Sequence, residues 1–312
     1  MPRAYLPLKA VPAVYPHPVE FPNGVRLVTG DVFPPSNLSG WQEVFSRREL
    51  RDISQWHLAL ACDWDAENDA AGKTSPEHRL ATARLALQVA APIGSFLSVC
   101  IREQDNSESP SLMTTRFEEF LGTPWSRMRG FNGMTSAEVE SITNGISSIV
   151  EQENIRTVNP IRLYEHGLVS QDPYIRILLW VTALDSVLMA VTKEKFENRL
   201  CAFLGANSQV FPLEDGVFIK RSTVVGDVAG DLFELRSELA HGRAIGKKFW
   251  EVREDLRDLL NPSVYGSVPR YRMLLEEAAL SLLSRVLRKI ILENMLSDFS
   301  STKIWKARLA SS

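Results

Sequence analysis

Arg236 and His241 stand five positions apart in the segment "DLFELRSELAHGRAIG", residues 231–246, and their types could do chemistry together. A guanidinium can hold a phosphate through several N–H donors, and an imidazole can gain or lose a proton near neutral pH. The pair could therefore bind a phosphate and transfer protons. The same residues also fit an ordinary helix end, because the helix dipole favours a histidine near the C-terminus and Gly242 can close the last turn.

The helix that carries this pair is marked by Leu232, Leu235 and Leu239, which recur at helical spacing and predict its buried face. On an ideal helix, His241 lies about 140° around the axis from Arg236. One regular helix therefore cannot aim both side chains at one atom. Two arrangements would bring them together: a distorted last turn, or two copies of the helix facing each other across a two-fold axis. The second arrangement predicts a homodimer with a shared groove.

Further helices must hold this one in place. From residue 155 onward, apolar positions at helical spacing alternate with short polar links. Asp172 followed by Pro173 predicts a helix start, and Gly205 and Gly242 are placed to end helices. We expect residues 155–312 to form a helical bundle, which makes the protein mainly α.

The preceding residues, 1–154, predict a smaller α+β domain of unknown role. "VRLVTGDVF" and "WHLALACDWD" are typical of strands. The alternation in the second segment predicts a half-buried strand whose larger apolar residues lie on one side: Trp56, Leu58, Leu60, Cys62 and Trp64. Ser75 and Pro76 predict the start of a helix that runs to about Ala91. Residues 1–24 are rich in proline, which predicts an extended and loosely held start.

The later part of this domain combines turn formers with one more helix. Residues 103–134 predict irregular structure around a short helix near Phe117 to Leu121. A helix is then expected from Thr135 or Ser136, with Glu138 near the capping-box position.

Composition excludes several classes of protein. The 312 residues are 45% hydrophobic, enough for a substantial core, and a net charge of -3 argues against a protein that coats nucleic acid by bulk charge. Residues 85–101 carry no charge but are fewer than the roughly 20 apolar residues of a membrane span, so we expect them to be buried core. The proline-rich start does not predict a secretory signal. We expect a cytoplasmic protein with no membrane partner.

Cysteines and motif-like patterns give no metal or nucleotide site. The three cysteines lie far apart without C-x-x-C spacing, which predicts core residues. "ENDAAGKTS" resembles a phosphate-binding loop but has Glu67 in place of the first glycine, and "DWDAENDAAGKT" lacks the glycine and glutamate of a calcium loop. His57 and His78 flank this run without the spacing of a zinc site. We expect no metal and no cofactor.

A second pattern of arginine, histidine and glycine lies upstream in "IRLYEHG". Arg162 and His166 are four positions apart, on one face of a helix, and Gly167 follows. A helix that ends at Gly167 is the simpler interpretation.

The order of helices around Arg236 and His241 adds to their spacing. "LLWVTALDSVLMAVTKEKFENRLCAFLGA", a short connection, "VVGDVAGDLFELRSELAHG" and a long amphipathic helix follow one another. This order, with a helix of the form LxxLRSxxxHG, resembles the Apea-like branch of the HEPN family over roughly residues 155–295. The resemblance implies a HEPN-like helical bundle that dimerises and, in active members, cleaves RNA without a metal ion.

The resemblance also implies roles for single residues. His241 would act as general base or acid on the ribose 2′-hydroxyl or on the leaving oxygen, and Arg236 would hold the scissile phosphate. The product would carry a 2′,3′-cyclic phosphate. Ser237 and Glu238 would support the site, and Ser237 stands where many active members carry Asn, Asp or His.

Basic residues near the end of the chain suggest where RNA would bind. Arg288 and Lys289 belong to a local surplus of positive charge that includes a segment around Trp305, and Arg243 closely follows His241. Exposed basic residues on a last helix are also often merely solvated, and this alternative stays open.

Three hypotheses remain at this point. The first is an endoribonuclease of a toxin or anti-phage defence system, which an antitoxin or sensor protein could restrain. The second is a non-catalytic HEPN module that binds RNA or a partner protein. The third is a dimerisation domain without chemistry, which explains every residue as a structural one.

Overall fold

The computed structural model describes residues 2–8, 20–29, 45–46, 58–65, 75–90, 99–104, 111–116, 135–152, 154–210, 223–253 and 270–311. The chain forms two compact units. The first comprises Met1–Gln88, Ile93–Phe120 and Met128–Ser147, and the second comprises Val89–Pro92, Leu121–Arg127 and Ser148–Ser312. The chain passes from the first unit to the second for the last time after residue 147, whereas the sequence predicts a boundary after residue 154.

The first unit is built on a five-stranded antiparallel sheet. Its strands are β1 (Arg3–Leu8), β2 (Val25–Thr29), β3 (Leu58–Asp63), β4 (Val99–Gln104) and β5 (Ser111–Arg116). They lie in the order β2-β3-β1-β4-β5, and every neighbouring pair is antiparallel. Along the chain, helix α1 (Pro76–Ala90) lies between β3 and β4, and helix α2 (Ser136–Gln152) follows β5.

Strand β3 is buried on both faces, so the half-buried strand predicted for this segment is wrong. β3 lies between β2 and β1, and Ala59, Leu60, Ala61 and Cys62 are all buried. The two alanines pack in a cluster with Tyr5. The sequence predicts a half-buried strand because large apolar residues alternate with small ones. The small residues are alanines, which are also apolar and are buried as well.

The proline-rich start is not loosely held where it is described. Residues Arg3–Leu8 form the middle strand of the sheet, and Ala4, Tyr5 and Leu6 are buried. Strand β4 pairs with β1 only at Ala4 and Tyr5. Pro7, which has no amide hydrogen, lies outside that ladder and costs it no hydrogen bond.

The helix starts predicted for the first unit are confirmed. Ser75 Oγ accepts a hydrogen bond from the His78 amide at 3.3 Å, and α1 begins at Pro76. At the start of α2, Thr135 and Glu138 bind each other's amides at 3.2 Å and 3.1 Å, as a capping box does.

The segment predicted as irregular contains a strand. β5 (Ser111–Arg116) lies within residues 103–134 and pairs with β4 along its whole length. Its residues, "SLMTTR", are mostly polar, and the pairing partner rather than a hydrophobic pattern makes it a strand. The short helix predicted near Phe117 to Leu121 lies outside the described residues.

The second unit is helical. After α2 the structure contains α3 (Ile155–Val169), α4 (Pro173–Leu188), α5 (Lys193–Leu204), α6 (Val225–Ala240), a 3₁₀ turn (Lys247–Trp250), α7 (Tyr271–Leu292), α8 (Leu296–Ser300) and α9 (Thr302–Ser311). Asp172 Oδ1 accepts from the Tyr174 amide at 2.7 Å, with Pro173 at the first helical position, as predicted. Gly205 closes α5 at a φ of 89°. The chain is therefore mainly α.

Trp305 belongs to the core of this unit, so the RNA contact suggested for it is wrong. Its side chain is fully buried, and its Nε1 donates to the Val187 carbonyl at 2.6 Å. The rings of Phe203 and Phe299 contact it edge-on. A tryptophan beside lysines looks like an RNA-binding surface, but α9 turns this ring inward and its lysines outward.

Residues 85–101 are buried wherever they are described: 85–90 end α1 and 99–101 begin β4. Among the described residues, no single helix has the length and apolar character of a membrane span. Helices α4 and α5 satisfy these two criteria only as a pair, and that pair is bent by 76°.

Candidate functional site

The candidate pair stands on the last two turns of α6 and just beyond them. This helix packs against α4, α5 and α7. Leu232 and Leu235 are fully buried, which confirms the predicted apolar face. Leu239 is half-buried, because the last turn of the helix reaches the surface at Ala240.

Arg236 faces α4 and is fixed there by two side chains. Its Nη2 lies 3.2 Å from Asp185 Oδ2, and its Nε lies 3.5 Å from the Thr182 hydroxyl. The guanidinium carbon is also 5.8 Å from the centre of the Phe233 ring. The Arg236 and Asp185 side chains are 24% and 17% exposed, so water screens this ion pair only in part.

Asp185 carries a charge that the protein satisfies incompletely. Its Oδ1 is buried and accepts no hydrogen bond from the described residues. Burial raises the pKa of this carboxyl, while the Arg236 guanidinium opposes that rise. Arg236 therefore has a structural role in addition to any catalytic one, because it favours the charged form of a half-buried carboxyl group.

His241 lies at the exposed end of α6. The helix closes in a Schellman motif: the Gly242 amide donates to the Leu239 carbonyl at 3.2 Å and the Arg243 amide to the Glu238 carbonyl at 2.9 Å. Gly242 has a φ of 60°, as expected for the glycine predicted to end this helix. The imidazole of His241 is thus accessible to solvent and stands on a well-defined turn.

The structure does not bring Arg236 and His241 together within one chain. The His241 amide keeps its regular helical bond to the Ser237 carbonyl at 3.1 Å, so the last turn is undistorted. Of the two arrangements proposed from the sequence, the distorted turn is therefore excluded. A site that uses both residues needs the second arrangement, with two copies of α6.

The two supporting residues help to shape the end of the helix. Ser237 is half-buried and supplies the carbonyl that binds the His241 amide. Glu238 Oε2 accepts from the Gly246 amide at 2.9 Å and so fastens the loop that follows the helix. The position of Glu238 supports a structural role, beside His241 but not in contact with Arg236.

The three residues predicted to bind RNA differ in their surroundings. Arg243 is exposed beside His241. Lys289 is half-buried. Its ammonium group donates to the Phe203 carbonyl at 2.7 Å and lies 5.0 Å from the centre of the Phe203 ring. Arg288 is also half-buried, with Nη1 3.4 Å from the Ala90 carbonyl. Lys289 and Arg288 thus already hold internal hydrogen bonds, and Arg243 is the best placed of the three.

A charged network that sequence reasoning missed anchors the chain after α6. Lys248 Nζ lies 2.7 Å from Asp231 Oδ1 and 3.0 Å from Glu234 Oε2, which also binds Lys193 Nζ at 2.9 Å. The Tyr271 hydroxyl donates to Asp231 Oδ2 at 2.7 Å. Burial raises the pKa of Asp231, but hydrogen bonds from Lys248 and Tyr271 outweigh this effect and lower it overall. Hydrogen bonds from Lys193 and Lys248 lower the pKa of Glu234.

This network leaves little signal in the sequence. Asp231 and Glu234 stand on one face of α6, but their partners come from three other elements, and only the tertiary structure joins them. The network fixes the path of the backbone from His241 to the 3₁₀ turn (Lys247–Trp250).

Other chemically able residues do not form a second site among the described residues. Cys62 and Cys100 are buried free thiols, Cys201 is half-buried, and burial raises the pKa of the Cys100 thiol, which makes it a poor nucleophile. No group of three His, Cys, Asp or Glu residues within the described ranges could hold a metal ion. His57 and Glu67 lie outside those ranges.

The upstream histidine does not end a helix, contrary to the interpretation of its sequence. Helix α3 continues past Gly167 to Val169, and Gly167 is buried. A Cβ at Gly167 would lie 2.1 Å from Trp180 Nε1. Glycine is needed here for close packing between α3 and α4, whereas Arg162 and His166 are exposed.

The chain matches no family model, no curated protein and no solved structure in comparisons of its sequence and fold. The resemblance to the HEPN family therefore depends on the motif and on the order of helices alone.

Proposed function

We propose that this protein is a HEPN-type, metal-independent endoribonuclease that acts as a homodimer in the cytoplasm, in a toxin or anti-phage defence system. One observation carries the proposal: a single rigid helix, α6, holds an oriented guanidinium at Arg236 and an accessible imidazole at His241. The family resemblance supplies the substrate and the biological setting.

The contacts of Arg236 leave part of its guanidinium for a phosphate. Nε faces Thr182 and one hydrogen of Nη2 faces Asp185, whereas no described residue accepts a hydrogen bond from Nη1. A guanidinium has five N–H donors, so three remain. Asp185 and Thr182 would then orient the group, and its remaining edge would bind the scissile phosphate.

The proposed reaction is an internal transesterification. The ribose 2′-oxygen attacks phosphorus while its proton passes to the neutral imidazole of His241, and the bond from phosphorus to the 5′-oxygen breaks. The leaving 5′-oxygen takes up a proton from water. The products are a 2′,3′-cyclic phosphate and a free 5′-hydroxyl, and Arg236 stabilises the charge that develops on the phosphoryl oxygens.

Cleavage by three purified variants tests this proposal. Arg236→Ala and His241→Ala should each lower RNA cleavage by roughly a hundredfold or more in excess EDTA, because each removes one catalytic group. His166→Ala is the matched control, since it removes another exposed histidine near the end of a helix and should leave cleavage unchanged. End analysis should find 2′,3′-cyclic phosphates. Equal activity of His241→Ala and the wild type would refute the proposal.

Mixing the two inactive variants tests the composite site. A mixed dimer of Arg236→Ala and His241→Ala contains one site with both groups intact if arginine and histidine act across the two-fold axis. Random exchange of subunits would then restore roughly a quarter of the wild-type activity. No restoration, or a monomer in sedimentation experiments, would contradict the shared groove.

A second function is favoured by the ion pair at Arg236. Asp185 occupies the position that a phosphate oxygen could take, which suits a non-catalytic HEPN module that binds RNA or a partner protein. In that case the wild type binds single-stranded RNA but yields no cyclic phosphate ends, and Asp185→Asn strengthens binding because it removes the competing carboxylate.

A further inference from the structure

Arginines and aromatic rings form a cluster at the N-terminal end of α7. The guanidinium carbon of Arg272 lies 5.2 Å from the ring centres of both Tyr174 and Trp250, and that of Arg270 lies 5.7 Å from Trp250. The Tyr174 and Trp250 ring centres are 6.4 Å apart. These four residues, here called the Arg–Trp cluster, come from α4, the 3₁₀ turn and the start of α7.

No carboxylate of the described residues neutralises the charges of this cluster. Neither Arg270 nor Arg272 pairs with an acidic side chain among the described residues, and the first turn of α7 contains no acidic residue. The positive end of the helix dipole lies at this same point, so two cations there repel it. A bound anion would relieve that repulsion, and a phosphate is the anion that arginine binds in a bidentate way.

Two further observations indicate an incomplete site. Arg272 Nε is buried and has no hydrogen-bond partner within the described part of the chain. Trp250 is 38% exposed, and Val252 and Ile175 beside the cluster are each 48% exposed. Aromatic and apolar surface next to guanidinium groups that have no carboxylate partner among the described residues is typical of surfaces that bind both the phosphates and the bases of a single strand.

We propose that the Arg–Trp cluster binds single-stranded RNA. Arg270 and Arg272 would contact successive phosphates with their N–H edges, and an unpaired base would stack on the exposed ring of Trp250 or on the outer face of a guanidinium. The ring contacts hold both guanidinium groups in place before the ligand binds. Arg270 is held further by the hydrogen bond that its Nη1 donates to the Trp250 carbonyl at 2.8 Å. Little side-chain freedom is therefore lost on binding.

The cluster lies in the same compact unit as the candidate site. Tyr174 lies in the first turn of α4, and Thr182, which contacts Arg236, is eight residues further along the helix, about 12 Å at the rise of an α-helix. The chain that leaves His241 leads through the anchored 3₁₀ turn to Trp250. The cluster would hold RNA a short distance from the cleaved bond, so this inference takes its choice of ligand from the proposed function.

Fluorescence anisotropy with a labelled single-stranded RNA oligonucleotide tests the cluster. His241→Ala serves as the background, in EDTA, so that the RNA stays intact. Adding Arg270→Gln and Arg272→Gln together should weaken binding more than tenfold and reduce the slope of log affinity against log salt by about 1.4, the value for two phosphate contacts. The matched control is Lys303→Gln with Lys306→Gln, which removes two exposed charges from α9 and should change binding little.

One competitor and one ring variant complete the test. Trp250→Ala should weaken binding without changing the salt slope, because it removes stacking rather than charge. Equal binding by the double arginine variant and the control variant would overturn the inference, as would displacement of RNA by polyglutamate at equal charge, which would indicate an acidic protein partner. Melting curves show whether each variant is folded.

The outcomes separate this inference from the proposed function. Binding that depends on the arginines, without any cleavage by the wild type, would support the cluster and refute the endoribonuclease. Cleavage that depends on Arg236 and His241 would support the endoribonuclease. If that cleavage did not depend on Arg270 and Arg272, it would refute the role of the cluster.

Discussion

Two segments of this chain contain an arginine, then a histidine and a glycine, yet they form different structures. In α6, Gly242 follows His241 with a φ of 60° and closes the helix. In α3, Gly167 follows His166 inside the helix and lies against the Trp180 ring. The His-Gly dipeptide does not by itself end a helix, because burial against a neighbouring helix can make glycine necessary in the middle of one.

The two arginines differ in the same way. Arg162 is exposed on α3, whereas Arg236 is partly buried and pairs with Asp185 on α4. A partly buried arginine with fixed contacts has an orientation that an exposed one lacks. This difference is the structural reason to regard the α6 segment, and not the α3 segment, as the candidate site.

The largest expected effect is at Gly167. Gly167→Ala should lower the free energy of unfolding by about 3 kcal/mol, because a methyl group cannot fit against a fully buried tryptophan that donates to the Tyr164 carbonyl at 3.1 Å. Urea unfolding measures the change. Gly230→Ala in α6 is the control, since its methyl group would meet only the ends of the Glu197 and Lys193 side chains. A loss no larger than that of the control would mean that Gly167 does not determine this packing.

A smaller loss is expected when Arg236 is removed. Arg236→Ala should cost about 2 kcal/mol, less than for a fully buried pair, since it leaves Asp185 half-buried without its cation. Arg162→Ala should change stability by less than about 0.5 kcal/mol. Loss of the guanidinium raises the folded-state pKa of Asp185 further. The variant and the wild type should therefore differ less in their free energy of unfolding in acid, where this carboxyl is protonated.

A double variant separates the ion pair from other contacts of the arginine. Combining Arg236→Ala with Asp185→Asn should recover part of the lost stability, because no charge is then left without a partner. Strictly additive losses in urea unfolding would show that the two side chains do not stabilise each other.

The end of α6 should respond more mildly than the middle of α3. Gly242→Ala should cost about 1 kcal/mol, because a non-glycine residue is strained at a positive φ, although nothing within 4 Å would clash with the methyl group. Gly242→Asn should cost less, since asparagine tolerates this conformation better. Thermal melts of the two variants make the comparison. If alanine and asparagine cost the same, backbone strain is not the cause.

The smallest effect concerns pH and the network after α6. The folded-state pKa values of Asp231 and Glu234 are lowered, so the stability they contribute is present at neutral pH and is lost as pH falls through those lowered values. Asp231→Asn should reduce the acid-induced loss between about pH 5 and pH 2, by less than about 1 kcal/mol because both groups are partly solvated. Unfolding curves across this range measure it. An unchanged acid loss would exclude Asp231 as a contributor.

Local chemistry made several features predictable. Asp172 and Pro173 start α4, Thr135 and Glu138 form a capping box, and Gly242 ends α6, as their types and positions indicated. Each of these depends on hydrogen bonds or backbone angles within a few residues, which a sequence contains directly.

Features that depend on distant neighbours were predicted poorly. The polar segment of β5 becomes a strand because β4 lies beside it, and Trp305 is buried because Phe203 and Phe299 approach from other helices. Ala59 and Ala61 of β3 are buried because residues from other segments, Phe45 and Val99 among them, pack in one cluster with them. In each case the decisive partner is far away along the chain.

The sequence by itself determined that Arg236 and His241 stand on one helix, that the helix ends at Gly242 and that its ideal geometry points the two side chains in different directions. Only the tertiary structure decided that Asp185 and Thr182 orient Arg236, that the last turn is regular, and that Arg270 and Arg272 gather around Trp250 with no acidic partner among the described residues. The reason is that helix geometry follows from bonds between residues three to five apart, whereas the electrostatic surroundings of a charge depend on which helices pack beside it.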